Sequence, residues 1–115
     1  MSSDNKTSYD FQLKLKADLV NVKVIVLEYC YILYVGRKNE IDVMTMGNFG
    51  RSTLLNLTPG VISQNYVENF NLKLSKVFQG KQIFVNTDLS MDDTPEFWSD
   101  LFIKIVPKLK EVLSI

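Results

Sequence analysis

From Val20 to Gly36 the chain reads VNVKVIVLEYCYILYVG, dense in β-branched and aromatic residues and apolar on both faces of an extended strand. Val20, Val22, Val24 and Val26 point one way, and Ile25 and Leu27 point the other. In the next stretch Tyr29, Tyr31, Leu33 and Val35 share a face, with Cys30, Ile32 and Tyr34 behind them. A sheet covered on one side alternates apolar with polar residues, so a run apolar on both sides asks for cover on both. A chain of 115 residues makes one domain of ordinary size and has little left over to supply two covers. This shortage points to a partner protein rather than to a substrate.

Charge and residue usage exclude several functions. Lys plus Arg number 13, as do Asp plus Glu, and the only arginines are Arg37 and Arg51. Phosphate-backbone binding needs a basic footprint, so nucleic acid is not expected. There is no histidine, which removes the commonest general base and the commonest metal ligand. With Cys30 as the one cysteine, neither an intrachain disulfide nor a structural zinc site can form. Inside an apolar strand Cys30 reads as a small buried hydrophobe. The polar start MSSDNKTSYD carries no apolar signal segment, and the longest apolar run is interrupted by Glu28 and is too short to span a bilayer. The expectation is a soluble cytoplasmic or nuclear protein in which the triplets Asn5-Lys6-Thr7 and Asn56-Leu57-Thr58 carry no glycan.

The period of the apolar residues predicts the elements. Residues 1–8 read as a flexible tail and 9–115 as a single domain. Phe11, Leu13 and Leu15 alternate with Gln12, Lys14 and Lys16 as a half-buried strand, and Asp18 marks the turn that follows. Strands over 20–28 and 29–36 come next, and Gly36-Arg37-Lys38-Asn39 makes a turn. Ile41, Val43 and Thr45 alternate with Asp42, Met44 and Met46 in a fourth strand that ends at Gly47. Asn48-Phe49-Gly50 is a turn, Ser52–Leu57 a fifth strand, and Thr58-Pro59-Gly60 closes it.

The spacing of Val67, Phe70, Leu74, Val77 and Phe78 predicts a helix from Val61 or Gln64 to Gln79, with Gly80 as its C-terminal glycine. A sixth strand covers 81–90. Thr94 and Pro95 suit the N-cap and first position of a last helix, whose stripe is Trp98, Leu101, Ile105, Leu109 and Val112. Pro107 inside that stripe predicts a kink or a split. The order β-β-β-β-β-α-β-α reads as α+β, with a largely antiparallel six-stranded sheet. Two helices cover one face, and the other face serves dimerisation. A stable interface buries roughly 800 Å² of each partner.

Few side chains suggest chemistry. Asp88, Asp92, Asp93, Glu96 and Asp100 read as a solvated helix N-terminus rather than a metal or acid–base site, since the spacing matches no calcium loop. Gly47, Gly50 and Gly60 read as turn glycines, with no Gly-Lys-Ser/Thr element near them. Tyr29, Tyr31 and Tyr34 read as core and interface residues rather than a base-stacking platform. Lys104, Lys108 and Lys110 are the solvated face of the last helix or steer an acidic partner. No catalytic residue, metal ligand or cofactor is expected. The candidate partner interface is Val22, Val24, Ile25, Val26, Tyr31, Leu33 and Tyr34.

Three segments in this order resemble the small proteasome assembly chaperones, closest to the chaperone-four type. They are Leu27–Gly36, which ends in an aromatic-Val-Gly, the short strand Ser52-Thr53-Leu54-Leu55, and Leu72–Ser75-Lys76 followed by Gly80–Asn86. Cys30 and Tyr31 stand where small polar or acidic residues are common in that family. The resemblance spans about Phe11 to Leu113. It implies a non-enzymatic chaperone paired with a chaperone-three-type subunit, or with itself when alone. The pair would hold proteasome α-type subunits while the α-ring of the 20S core assembles. The tail Leu113-Ser114-Ile115 lacks the tyrosine by which another class of proteasome chaperone docks. The alternative is a longin- or roadblock-like dimeric scaffold that regulates a small GTPase, although those folds insert a helix before the middle strands.

Overall fold

The computed structural model describes residues 8–16, 18–48, 51–57, 64–88 and 94–115. The elements are β1 (Ser8–Leu15), β2 (Asp18–Val26), β3 (Cys30–Gly36), β4 (Val43–Asn48), β5 (Arg51–Leu57), α1 (Gln64–Val77), β6 (Gln82–Thr87) and α2 (Pro95–Leu113). Residues 1–7 of the expected tail, Phe49-Gly50 of the expected turn, the stretch from Thr58 to Ser63 and the segment from Leu89 to Asp93 lie outside the described residues, whereas Ser8 belongs to β1 and Asn48 to β4.

The six strands form one sheet in the order β1-β2-β3-β6-β4-β5. Every neighbouring pair is antiparallel except β3 and β6, which run parallel. The sheet is therefore mixed, mostly but not wholly antiparallel. Short turns join β1 to β2 and β2 to β3, as adjacency in sequence predicts. β3 and β4 are not neighbours, because β6 lies between them. It reaches that place through α1: β5, α1 and β6 form a crossover that straddles β4, and parallel pairing requires such a crossover.

Alternation decides which side chains go under the helices. Val20, Val22 and Val24 of β2 are wholly buried, and so are Val35 of β3, Val43 of β4 and Val85 of β6. Leu13, Leu15, Tyr31, Leu33 and Ile83 join them on the same face. α1 packs on β4, β5 and β6, and α2 packs on β1 and against α1. Val67, Phe70 and Leu74 of α1 meet Trp98, Leu101, Ile105 and Leu109 of α2 in this core. Burial of each such aliphatic side chain contributes about 1.5–3 kcal/mol relative to its exposure.

Aromatic rings lock the helices together. Tyr66 stacks on Trp98 at 6.4 Å, and Phe70 meets Trp98 at 5.7 Å and Phe102 at 6.3 Å edge to face. Asn71 on α1, fully buried, donates to Thr45 Oγ1 at 2.9 Å and to the Ile83 carbonyl at 3.0 Å, which ties α1 to β4 and β6.

Four local expectations need correction. Gly47 lies inside β4 and not in a turn. Ile41 is 51% exposed and precedes the strand rather than beginning it. Tyr29 is 76% exposed in the β2–β3 turn, where the Leu27 N–H donates to the Cys30 carbonyl at 2.9 Å. Pro107 does not split the last helix, which is continuous from Pro95 to Leu113. Pro107 and Ile103, four residues before it, are both exposed, so the carbonyl that the missing N–H leaves lies on the solvent side of the helix. Restoring that bond should help the fold. Pro107→Ala is expected to raise stability by about 1–3 kcal/mol in urea unfolding, with an unchanged denaturant slope.

Candidate docking face of the sheet

The helix-free face of the sheet carries a row of apolar residues in direct register. Ile25 of β2 faces Ile32 of β3, Ile32 faces Phe84 of β6, and Phe84 faces Met46 of β4. Ile25 is 42% exposed, and Ile32, Phe84 and Met46 are half-buried. Met44 and Cys30, also half-buried, flank the row on the same face. No helix or strand among the described residues packs on this face. A solvated sheet face is ordinarily polar, and four apolar residues in line depart from that pattern.

The β1 end of the same face is different. Asp10 faces Lys23, and Gln12 faces Asn21 and donates to its Oδ1 at 2.9 Å. This half is polar and belongs in water. The apolar row thus crosses the four central strands, β2, β3, β6 and β4.

The seven residues expected at a partner interface divide between the two faces. Val22, Val24, Tyr31 and Leu33 are buried under this chain's own helices, and Val26 packs against the same core. Ile25 and Tyr34 lie on the uncovered face. The sequence reading missed Ile32, Phe84, Met44 and Met46 as members of one surface. The alternation within each strand was visible, but the β3–β6–β4 order that brings them into line was not.

Tyr34 has a second partner set that fixes the margin of the face. Its hydroxyl donates to Asp88 Oδ2 at 2.5 Å and accepts from the Asn39 N–H at 2.7 Å. The same carboxylate oxygen accepts from the backbone N–H of Arg37 at 3.1 Å and of Lys38 at 2.7 Å. Asp88 is 2% exposed. The expected solvated acidic cluster is therefore corrected at Asp88, which instead lashes the β3–β4 turn to the end of β6. Asp92 and Asp93 lie outside the described residues, and Asp100 pairs with Lys104 at 3.4 Å. Asn39 takes the left-handed conformation at φ 57°, which asparagine tolerates. Gly36 is required here, because a Cβ would stand 2.4 Å from the Tyr34 hydroxyl and 2.6 Å from Asp88 Oδ2. The Arg37 guanidinium lies 5.6 Å from the centre of the Phe97 ring and carries the turn onto α2.

Burial, and then the hydrogen bond to Asp88, push the Tyr34 hydroxyl up to about 12. The folded state therefore holds this proton at a pH where the unfolded chain, near 10, releases it. The stabilising contribution is whole below pH 10 and is lost as pH rises through about 12. Tyr34→Phe is expected to flatten the fall of stability over that interval relative to the unsubstituted chain. Chemical denaturation at a series of alkaline pH values would check it, and parallel curves would refute it.

Two of the expected helix-face lysines are tied down. Lys104 Nζ donates to the Lys14 carbonyl at 3.2 Å, and Lys108 pairs with Glu111 at 2.9 Å. Among the described residues, no group of three or more His, Cys, Asp or Glu side chains is placed to hold a metal ion, and no helix is long and apolar enough to cross a membrane.

No protein family and no curated protein matches the chain. Among solved structures it is similar to a chain from the crystal structure of a novel chaperone complex for yeast 20S proteasome assembly. The TM-score is 0.59 at 13% identity, over 85% of this chain and 95% of that one. The two share a fold.

Proposed function

We propose that this chain is a non-enzymatic assembly chaperone for the α-ring of the 20S proteasome. In this reading it works in the cytoplasm or nucleus as half of a heterodimer with a chaperone-three-type subunit. The observation that carries the reading is the uncovered apolar row Ile25, Ile32, Phe84 and Met46, on a fold shared with a chain of a proteasome assembly chaperone complex. The partner subunit covers the row, and α-type subunits are held by the pair. The chemistry is selective binding: an α-subunit is kept in an orientation that favours correct neighbours, and affinity is lost when later subunits claim the same surface. The client contact is the more polar of the two, because it has to be released.

Affinity purification of the tagged chain from its own cells tests this. A second small chaperone and α-type proteasome subunits are expected among the recovered proteins. Recovery of neither would sink the reading, and small GTPases in their place would favour the longin-like scaffold.

A pair of charge substitutions separates docking from folding. Val24→Asp places a carboxylate in the core under the helices and is expected to unfold the chain. Ile25→Asp, next along the same strand but on the other face, is expected to leave the circular dichroism spectrum native and to abolish partner recovery. A native Ile25→Asp variant that still recovers the partner would remove β2 from the contact.

A further inference from the structure

α1 and α2 run side by side in the same direction, and along their outer seam they meet through rings. Tyr66 lies on Trp98, Phe70 against Trp98 and Phe102, and the Lys73 ammonium 5.7 Å from the centre of the Phe102 ring. Flat rings in edge contact leave the seam open as a groove of about 190 Å³. It lies on the opposite side of the sheet from the apolar row, and no described helix or strand crosses it.

The lining divides by chemistry. Phe70 and Trp98, both buried, make the floor, and half-buried Tyr66 and Phe102 make the walls. Asn69 on α1 and Ser99 on α2, both exposed, bring a polar group to each rim. Lys73 stands at one end, and Lys76 is exposed one turn beyond it. Among the described residues no acidic side chain lines the groove.

An apolar cavity with a few convergent polar groups is the ordinary pattern of a binding site. Size decides what it takes. Sites for whole small molecules occupy about 300–1,000 Å³, whereas this groove has room for one large side chain. A side chain arrives on a peptide, and the Asn69 amide and Ser99 hydroxyl can each donate to or accept from a peptide backbone. The ammonium groups at the end of the groove select a carboxylate.

We propose that the groove between α1 and α2 binds an acidic segment of another protein. One leucine-sized side chain of that segment seats on Phe70 and Trp98, and a carboxylate pairs with Lys73. Because the groove and the apolar row lie on opposite sides of the sheet, both can be occupied at once.

Trp98 is the only tryptophan and part of the floor, so its emission reports occupancy. The probe is a terminally blocked peptide with one leucine between runs of aspartate and glutamate. Titration is expected to give a saturable change with a dissociation constant of about 0.1–1 mM, weakening as salt rises. Two control peptides, one with glycine for the leucine and one with lysine for every acidic residue, are expected to bind at least about tenfold more weakly. Equal binding by either control, or no saturable change up to about 5 mM of the probe, overturns the inference. Lys73→Glu, on the exposed side of α1, is expected to keep the native circular dichroism spectrum and to weaken the probe at least about tenfold. A folded Lys73→Glu variant that binds as tightly as the unsubstituted chain overturns it too. Ile25→Asp, on the far side of the sheet, is expected to bind the probe unchanged. Loss of binding there would move the probe to the sheet face and overturn the groove, while leaving the docking reading of that face in place. Should Lys73→Glu fail to fold, amide chemical-shift mapping of the unsubstituted chain decides. Shifts on adding the probe are expected at Asn69, Lys73, Ser99 and Phe102, and shifts centred anywhere else overturn the inference.

Discussion

Asp88→Ala is expected to lower stability by about 3 kcal/mol or more, although the residue sits just past the end of β6. One carboxylate oxygen gathers the Tyr34 hydroxyl and the backbone N–H groups of Arg37 and Lys38. Alanine leaves all three donors without that acceptor in a part-buried corner, and the penalty of an unmet buried donor is about 1–3 kcal/mol. The turn between β3 and β4 then loses its tie to β6, and with it the Arg37 contact to Phe97. Asp88→Asn keeps one acceptor oxygen and is expected to recover part of the loss. Urea unfolding monitored by Trp98 fluorescence measures both variants. A shift under about 1 kcal/mol for alanine would mean that water replaces the carboxylate without loss.

Gly47→Ala is expected to cost about 3 kcal/mol for the addition of one methyl group. A Cβ there would stand 2.2 Å from Asn71 Oδ1 and 2.8 Å from Asn71 Cγ, with the Arg51 carbonyl at 3.2 Å. Asn71 has nowhere to retreat, because its Nδ2 is held by Thr45 and by the Ile83 carbonyl. The methyl group therefore pushes α1 off β4 or breaks both hydrogen bonds. A double-mutant cycle tests the cause. Gly47→Ala with Asn71→Ala should be less destabilised than the sum of the two single changes, by about 1 kcal/mol or more. Strict additivity would place the strain elsewhere.

Both predictions depend on contacts between residues far apart in the chain, and such contacts were the least legible part of the sequence. The valines at 20, 22 and 24 announced a strand but not which of its faces the helices take: all three lie in the chain's own core, where Val22 and Val24 were expected to meet a partner. The 67–70–74 stripe announced α1, and Thr94 with Pro95 marked the start of α2. Gly47 read as a turn glycine, and nothing near it in the sequence marked it as the place where a helix asparagine approaches a strand. Asp88 stood among other acidic residues, and only its three donors, all some fifty positions earlier, distinguish it from a solvated carboxylate.

Periodicity is a local property, written within a few residues, so it was enough to specify the strands, the helices and the alternation that sorts each side chain to one face. Pairing order is not local. β6 enters between β3 and β4 because a crossover helix carries it there, and that insertion alone puts Phe84 between Ile32 and Met46. The helices then choose their face by burying the larger set of valines, leucines and aromatics, and the smaller set is left in line on the outside. Each strand carried its share of that apolar row in plain view, and assembly of the whole sheet turned four separate residues into one surface.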